Sequence, residues 1–255
     1  MGRVITACVA VLLGTLAFSS MAGAITYGSP DGEVHPEVGA LLAPVAYSDG
    51  TWATCSGTLI SPTVFLTAAH CDQGVSRVAV TFDSQYVAAG GNTYWGTWRA
   101  DPRFRGAQGD PYDTAVVVFD KEVKRITPAR LPEAGSLENI APGTRFTSVG
   151  YGAQSVTIEK GPTFHYADIR YFATGGLYTV TNSWLRISMN PAHGDGGTCY
   201  GDSGGPNFLG AGAGETNIVA GTTITGDFVC RATNVDYRMD TPSARAFLAA
   251  YVTLP

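Results

Sequence analysis

Short apolar or alternating runs, bounded by Gly, Pro, Asn and Asp, recur along the chain at 39–47, 58–66, 78–82, 114–119, 146–151 and 217–222. Strands need a turn at both ends, whereas helices need longer stretches of 3.6-residue period, so the pattern predicts an antiparallel β-sandwich or barrel. The 32 glycines and 14 prolines supply the turns. One helix is predicted at the C-terminus: Thr241 caps it, Pro242 suits its first turn, and Ala244, Phe247, Leu248 and Tyr251 form one apolar face. Residues 126–142 hold three prolines and no periodicity, which reads as a connector between two β halves. Tyr94, Trp95 and Trp98 read as a half-exposed aromatic hairpin.

Residues 1–24 stand apart. Arg3 precedes an apolar run over 4–18, and Ala22-Gly23-Ala24 is a small-x-small cleavage site, so a secretory signal peptide is expected and a spanning helix is not. Export puts the chain in an oxidising, extracellular compartment. Of five cysteines, Cys8 leaves with the signal, and Cys55, Cys71, Cys199 and Cys230 remain to form two disulfides in any of three pairings. No C-x-x-C pair or Cys/His cluster points to a metal, and no cofactor is expected. Without Arg3 the mature chain has 15 basic and 21 acidic residues, which disfavours nucleic acid and anionic membranes as partners.

The densest chemistry lies in Gly201-Asp202-Ser203-Gly204-Gly205-Pro206, where glycines on both sides let the backbone turn sharply around one hydroxyl. Taken alone it fits the G-x-S-x-G elbow of α/β-hydrolases, or a plain Gly-rich turn. The elbow requires a later histidine, but the last one, His193, precedes Ser203. A lipase or esterase is disfavoured on the same ground. The order His, Asp, Ser is available instead. His70 follows an apolar strand in Thr67-Ala68-Ala69-His70-Cys71, and Asp113 heads the apolar stretch Thr114-Ala115-Val116-Val117-Val118. Rival acids Asp101 and Asp110 have Gly and Pro neighbours and read as turn residues. His35, His165 and His193 read as surface or loop histidines.

TAAHC, DTAVV and GDSGGP, in that order, resemble the three signature segments of the trypsin/chymotrypsin family, and the resemblance covers the chain from Ile25 to the final helix. It implies an all-β fold of two antiparallel barrels with a C-terminal helix. Residues 25–125 would form the first barrel, 126–142 the connector, 143–240 the second barrel, and 241–255 the helix and tail. It implies a monomeric endopeptidase acting on proteins or peptides, with Ser203 as nucleophile, His70 as base and Asp113 orienting His70. The N–H groups of Gly201 and Ser203 would form the oxyanion hole, and the disulfides would be Cys55–Cys71 and Cys199–Cys230. Asp202 would pair with the amine of Ile25, freed here by signal cleavage. Gly197 falls at the floor of the substrate pocket, where a trypsin-type enzyme carries Asp, so tryptic specificity is not expected. Thr198, Tyr200, Ile224, Thr225, Gly226 and Val235 would complete that pocket, Val235 narrowing it toward small or medium apolar side chains. Ile224 and Thr225 depart from the family's usual Ser-Trp. The alternative is a catalytically silent relative that uses the fold to bind another protein.

Overall fold

The computed structural model describes residues 25–107 and 109–255. The expected signal peptide lies outside the described residues. β1 (Ser29–Pro30) is followed by β2 (Val38–Leu42), β3 (Ala53–Ser61), β4 (Val64–Thr67), β5 (Arg77–Thr81), β6 (Tyr94–Ala100) and β7 (Ala115–Phe119). Strands β2 to β7 close an antiparallel barrel in the order β2-β3-β4-β7-β6-β5. Then come β8 (Arg145–Gly150), β9 (Ser155–Ile158), β10 (Pro162–His165), β11 (Tyr171–Val180), β12 (Trp184–Ser188), β13 (Pro206–Leu209), β14 (Val219–Gly226) and β15 (Thr233–Arg238). Six of these close a second barrel through β8, β11, β12, β15, β14 and β13, and β9 and β10 pair only with each other.

The sequence pattern maps onto this with informative differences. The run at 58–66 is two strands, because Pro62-Thr63 turns the chain between β3 and β4, and both strands are buried on each face. Residues 25–30 join the second barrel: β1 pairs with β11, and Thr26 bridges Gly197. Sequence order had put them with the first barrel, but only the long-range pairing decides where a terminal strand docks. Among the described residues, 120–144 holds no strand.

Each barrel is filled by its inward faces. Leu41, Leu59, Phe65, Val80, Trp98, Val117 and Phe119 fill the first. The cluster joining Val38, Leu66, Val116, Val149, Phe208, Val219 and Tyr237 lies between the barrels and receives the C-terminal helix α1 (Pro242–Leu248) through Ala244, Phe247 and Leu248. Thr241 Oγ1 accepts from the Ala244 N–H at 3.2 Å, the cap the sequence predicts. The aromatic segment divides: Trp98 points into the first core, while Trp95 is exposed. Among the described residues no helix is long and apolar enough to cross a membrane.

His35 corrects the sequence reading. It is buried, stacked on Phe208, and bonded through Nδ1 to Asp31 and through Nε2 to Glu215 at 2.6 Å. Asp31 in turn accepts from the fully buried Arg170, whose guanidinium also reaches the carbonyls of Gly32, Val38 and Phe82 and the Tyr151 hydroxyl. Gly and Pro neighbours suggested a loop, but the charge partners come from residues up to 180 positions away. Burial opposes the charge on His35, yet the two carboxylates raise its pKa to about 9. His165 and His193 are exposed, as expected.

Candidate active site

Antiparallel register brings His70 and Asp113 together. Thr67 at the end of β4 pairs with Ala115 at the start of β7, so residues just past the first and just before the second meet at one barrel rim. There Ala69–Cys71 forms a single 3₁₀ turn, tied to β3 by the Cys55–Cys71 disulfide. The Asp113 carboxylate is buried and accepts twice from His70: the backbone N–H at 2.9 Å and ring Nδ1 at 2.7 Å. This fixes both the ring plane and the tautomer, with the proton on Nδ1 and a lone pair on Nε2. The rival acids are occupied elsewhere, Asp101 by Arg103 and Asp110 by the N–H groups of Arg105 and Tyr112.

Ser203 enters from the second barrel. Its carbonyl accepts from the Ser56 N–H at 2.9 Å, docking the loop on β3. Gly204, at φ +78°, packs so tightly that a Cβ would lie 2.1 Å from Thr67 Oγ1 and 2.6 Å from the Ala68 nitrogen. The glycine after the serine is therefore what lets the loop reach the His70 rim. Ser203, His70 and Asp113 line one cleft of about 960 Å³. No hydrogen bond joins His70 Nε2 to Ser203 Oγ among the described residues.

The backbone beside Ser203 is held by bonds from the neighbouring segments. The Tyr200 carbonyl accepts from the Ala153 N–H at 2.8 Å, and the peptide is trans, so the Gly201 N–H is turned the opposite way. Ser56 Oγ donates to the Gly201 carbonyl at 3.0 Å and holds the next peptide. Among the described residues, neither the Gly201 nor the Ser203 N–H is donated to a protein acceptor. Two such donors flanking a hydroxyl can stabilise charge developing on a carbonyl oxygen.

Asp202 is fully buried and accepts from the N–H groups of Gly152 and Cys199, each at 2.8 Å. Burial dominates, pushing its carboxyl up to about 7. Ile25 is buried, and its neighbour Thr26 bonds to Gly197 and Cys230. Ile25 and Asp202 share no hydrogen bond or ion pair among the described residues; in the uncleaved chain the Ile25 nitrogen is an uncharged amide.

The pocket residues part company. Thr198, Tyr200, Ile224, Thr225 and Gly226 line the cleft with the Cys199–Cys230 disulfide. Gly197 does not; its open side abuts Met189. Val235 packs instead against the cluster between the barrels, because strand alternation turns its neighbours Asn234 and Asp236 toward the buried polar side. Thr198 Oγ1 donates to Asn234 Oδ1 at 2.6 Å, and Asn234 reaches Asn207 and, through it, Asp236. Burial holds the Asp236 carboxyl well above the usual range. Ser56, Asn234 and the cleft-lining Phe104 and Phe228 gave no signal in the sequence, since ordinary residues acquire these places only through contacts between distant segments.

The sequence of this chain is 29% identical to trypsin alpha of Drosophila melanogaster over 168 residues, covering 60% of this chain and 62% of that protein. It is 28% identical to a trypsin of Saccharopolyspora erythraea over 219 residues, covering 80% and 88%. The fold matches human heparin binding protein at a TM-score of 0.64 and 16% identity over 88% of this chain and 95% of that one. A second structure, titled as an atomic resolution structure of HBP, gives a TM-score of 0.65 at 18% identity over 89% and 96%. The family model for Trypsin matches residues 35–248, and the chain belongs to the trypsin family of serine proteases.

Proposed function

We propose that this chain is a secreted serine endopeptidase. The observation that carries the reading is the doubly bonded Asp113–His70 pair sharing one cleft with Ser203. Ser203 Oγ attacks the scissile carbonyl, His70 Nε2 takes its proton, and Asp113 stabilises the imidazolium. The carbonyl oxygen becomes an anion between the Gly201 and Ser203 N–H groups, which require no reorganisation. Collapse expels the leaving amine with the proton from His70. Water then repeats the sequence on the acyl-enzyme.

Hydrolysis of the Ala24–Ile25 bond leaves the carboxylate on the signal peptide and a new amine on Ile25, which supplies the buried cation for Asp202. The ion pair then fixes the loop that presents Gly201. Secreted protein should begin at Ile25 by N-terminal sequencing. Among the described residues no Lys or Arg lines the cleft, and its carboxylates Asp72, Asp113 and Asp227 accept from Gly74, His70 and the backbone around Ala232. The uncharged Thr198, Ile224 and Thr225 beside Ser203 suit small or medium apolar side chains at the cleaved position. A catalytically silent binding role is the second reading, favoured by the fold match to heparin binding protein. A polyanion like heparin suits this chain poorly at a formal net charge of −5. An organophosphate should label Ser203 stoichiometrically and abolish peptide cleavage; no labelling, with peptides left intact, would establish the silent reading.

A further inference from the structure

The peptides around Ser203 are anchored one by one. The carbonyls of Tyr200, Asp202 and Ser203 accept from the N–H groups of Ala153, Gly205 and Ser56 at 2.8, 2.9 and 2.9 Å. The N–H groups of Asp202 and Gly204 donate to the carbonyls of Cys199 and Thr223 at 3.0 and 2.7 Å. Only the Gly201 carbonyl, among these four, is held by a side chain, accepting from Ser56 Oγ at 3.0 Å. Main-chain anchors survive most substitutions, whereas this one vanishes with a single oxygen. It also stands at the residue with the widest conformational freedom, since Gly201 sits at φ +94°.

Ser56 is itself fixed on every side. It is fully buried, and its Oγ accepts from the Tyr151 N–H at 2.9 Å while donating to Gly201. Two glycines make room for it: a Cβ on Gly150 would lie 2.9 Å from Ser56 Oγ, and one on Gly205 would lie 3.1 Å from Ser56 Cβ. Its carbonyl accepts from Thr67 Oγ1 at 2.8 Å, and its neighbour Cys55 is bonded to Cys71 beside His70. One residue therefore refers the nucleophile loop to the rim that carries the base.

We propose that Ser56 is a positioning residue for the reaction: by gripping the Gly201 carbonyl, its hydroxyl fixes the spacing of the Gly201 and Ser203 N–H groups that flank the developing anion. This rests on the endopeptidase reading above. Ser56 does not line the cleft and acts only through Gly201. Without the hydroxyl, Gly201 drifts through the range open to glycine and the two N–H groups lose their shared aim. The cost falls on the transition state, because only there does the carbonyl oxygen carry the charge.

The test is Ser56→Ala in the secreted chain, with active enzyme counted by organophosphate titration of Ser203. Its kcat should fall about 10- to 100-fold, short of the ~10²–10³ for outright loss of a donor, with KM within about threefold. A peptide aldehyde, to which Ser203 adds reversibly as His70 takes the hydroxyl proton, should bind more weakly by the same factor, and the matching peptide alcohol should bind unchanged. The low-field proton resonance of His70 Nδ1 should persist, since Asp113 keeps its hold. Ser56→Gly also lacks the hydroxyl and should lose as much, which serves if the alanine protein does not fold. Thr241→Ala, which removes the helix cap, controls for stability: Tm should fall with kcat within about threefold. Titratable Ser56→Ala or Ser56→Gly enzyme with kcat within about threefold of wild type would overturn the role, as would a loss confined to KM or an unchanged aldehyde affinity. Wild-type chain in which Ser203 does not titrate and every peptide stays intact would instead overturn the endopeptidase reading.

Discussion

Gly201→Ala tests the proposed oxyanion hole most directly. Gly201 sits at φ +94°, where an L side chain costs roughly 1–3 kcal/mol. Its Cβ would lie 2.8 Å from the Gly152 Cα, well inside the ~3.5–4.0 Å of a good carbon contact. The obstacle is backbone, so no side-chain rotation relieves it. The cheapest escape is to rotate the Tyr200–Gly201 peptide. That breaks the Tyr200 carbonyl bond to Ala153, worth about 1 kcal/mol, and turns the Gly201 N–H out of the direction the proposed mechanism requires. Loss of one such donor costs about 10²–10³ in kcat, or roughly 2.7–4 kcal/mol of transition-state stabilisation. Stopped peptide hydrolysis should therefore show kcat down about 100- to 1000-fold with KM within about threefold, and Tm lowered by several degrees. Gly212→Ala is the control: φ is +54° and nothing lies within 4 Å, so it should cost stability alone. A folded Gly201→Ala enzyme with kcat within about threefold of wild type would refute the reasoning.

Asp113→Asn should lower kcat by about 10⁴ without loss of fold: with Oδ1 kept on the His70 N–H, the amide NH₂ faces Nδ1 and drives the proton to Nε2, where it blocks proton transfer from Ser203. Steady-state kinetics with a circular dichroism melt checks both halves. The His35 pKa is raised from 6.5 to about 9, so its contribution is fully present below pH 6.5 and lost as pH rises through about 9. Tm should fall across that window by the equivalent of on the order of 3 kcal/mol, and His35→Gln should flatten the slope. An equal alkaline slope in the variant would assign it to other groups.

Much of the site was legible because its chemistry is local. His70 needs Ala68 and Ala69 beside it to tuck its turn, and Ser203 needs Gly204 to pass Thr67, so the constraints are written in adjacent residues. The final helix was legible for the same reason, with cap, proline and apolar face inside eleven positions. His35 was misread because its Gly and Pro surroundings carry no trace of Glu215 or Arg170. Val235 was misassigned because an alignment gives position along a strand but not which face the residue takes. The contact among Phe164, Tyr200 and Phe228 was invisible for a further reason: it forms only where a hairpin and two loops converge.

Sequence alone determined the family, the β-rich architecture and the residue types able to move a proton from a hydroxyl. Only the tertiary structure decided which edge the N-terminal strand joins, which side chains line the cleft, and where the buried charges find partners. Local turns and periodicities are governed by backbone sterics within a few residues. Burial and charge pairing depend on contacts between distant segments, and these exist only once the barrels have closed.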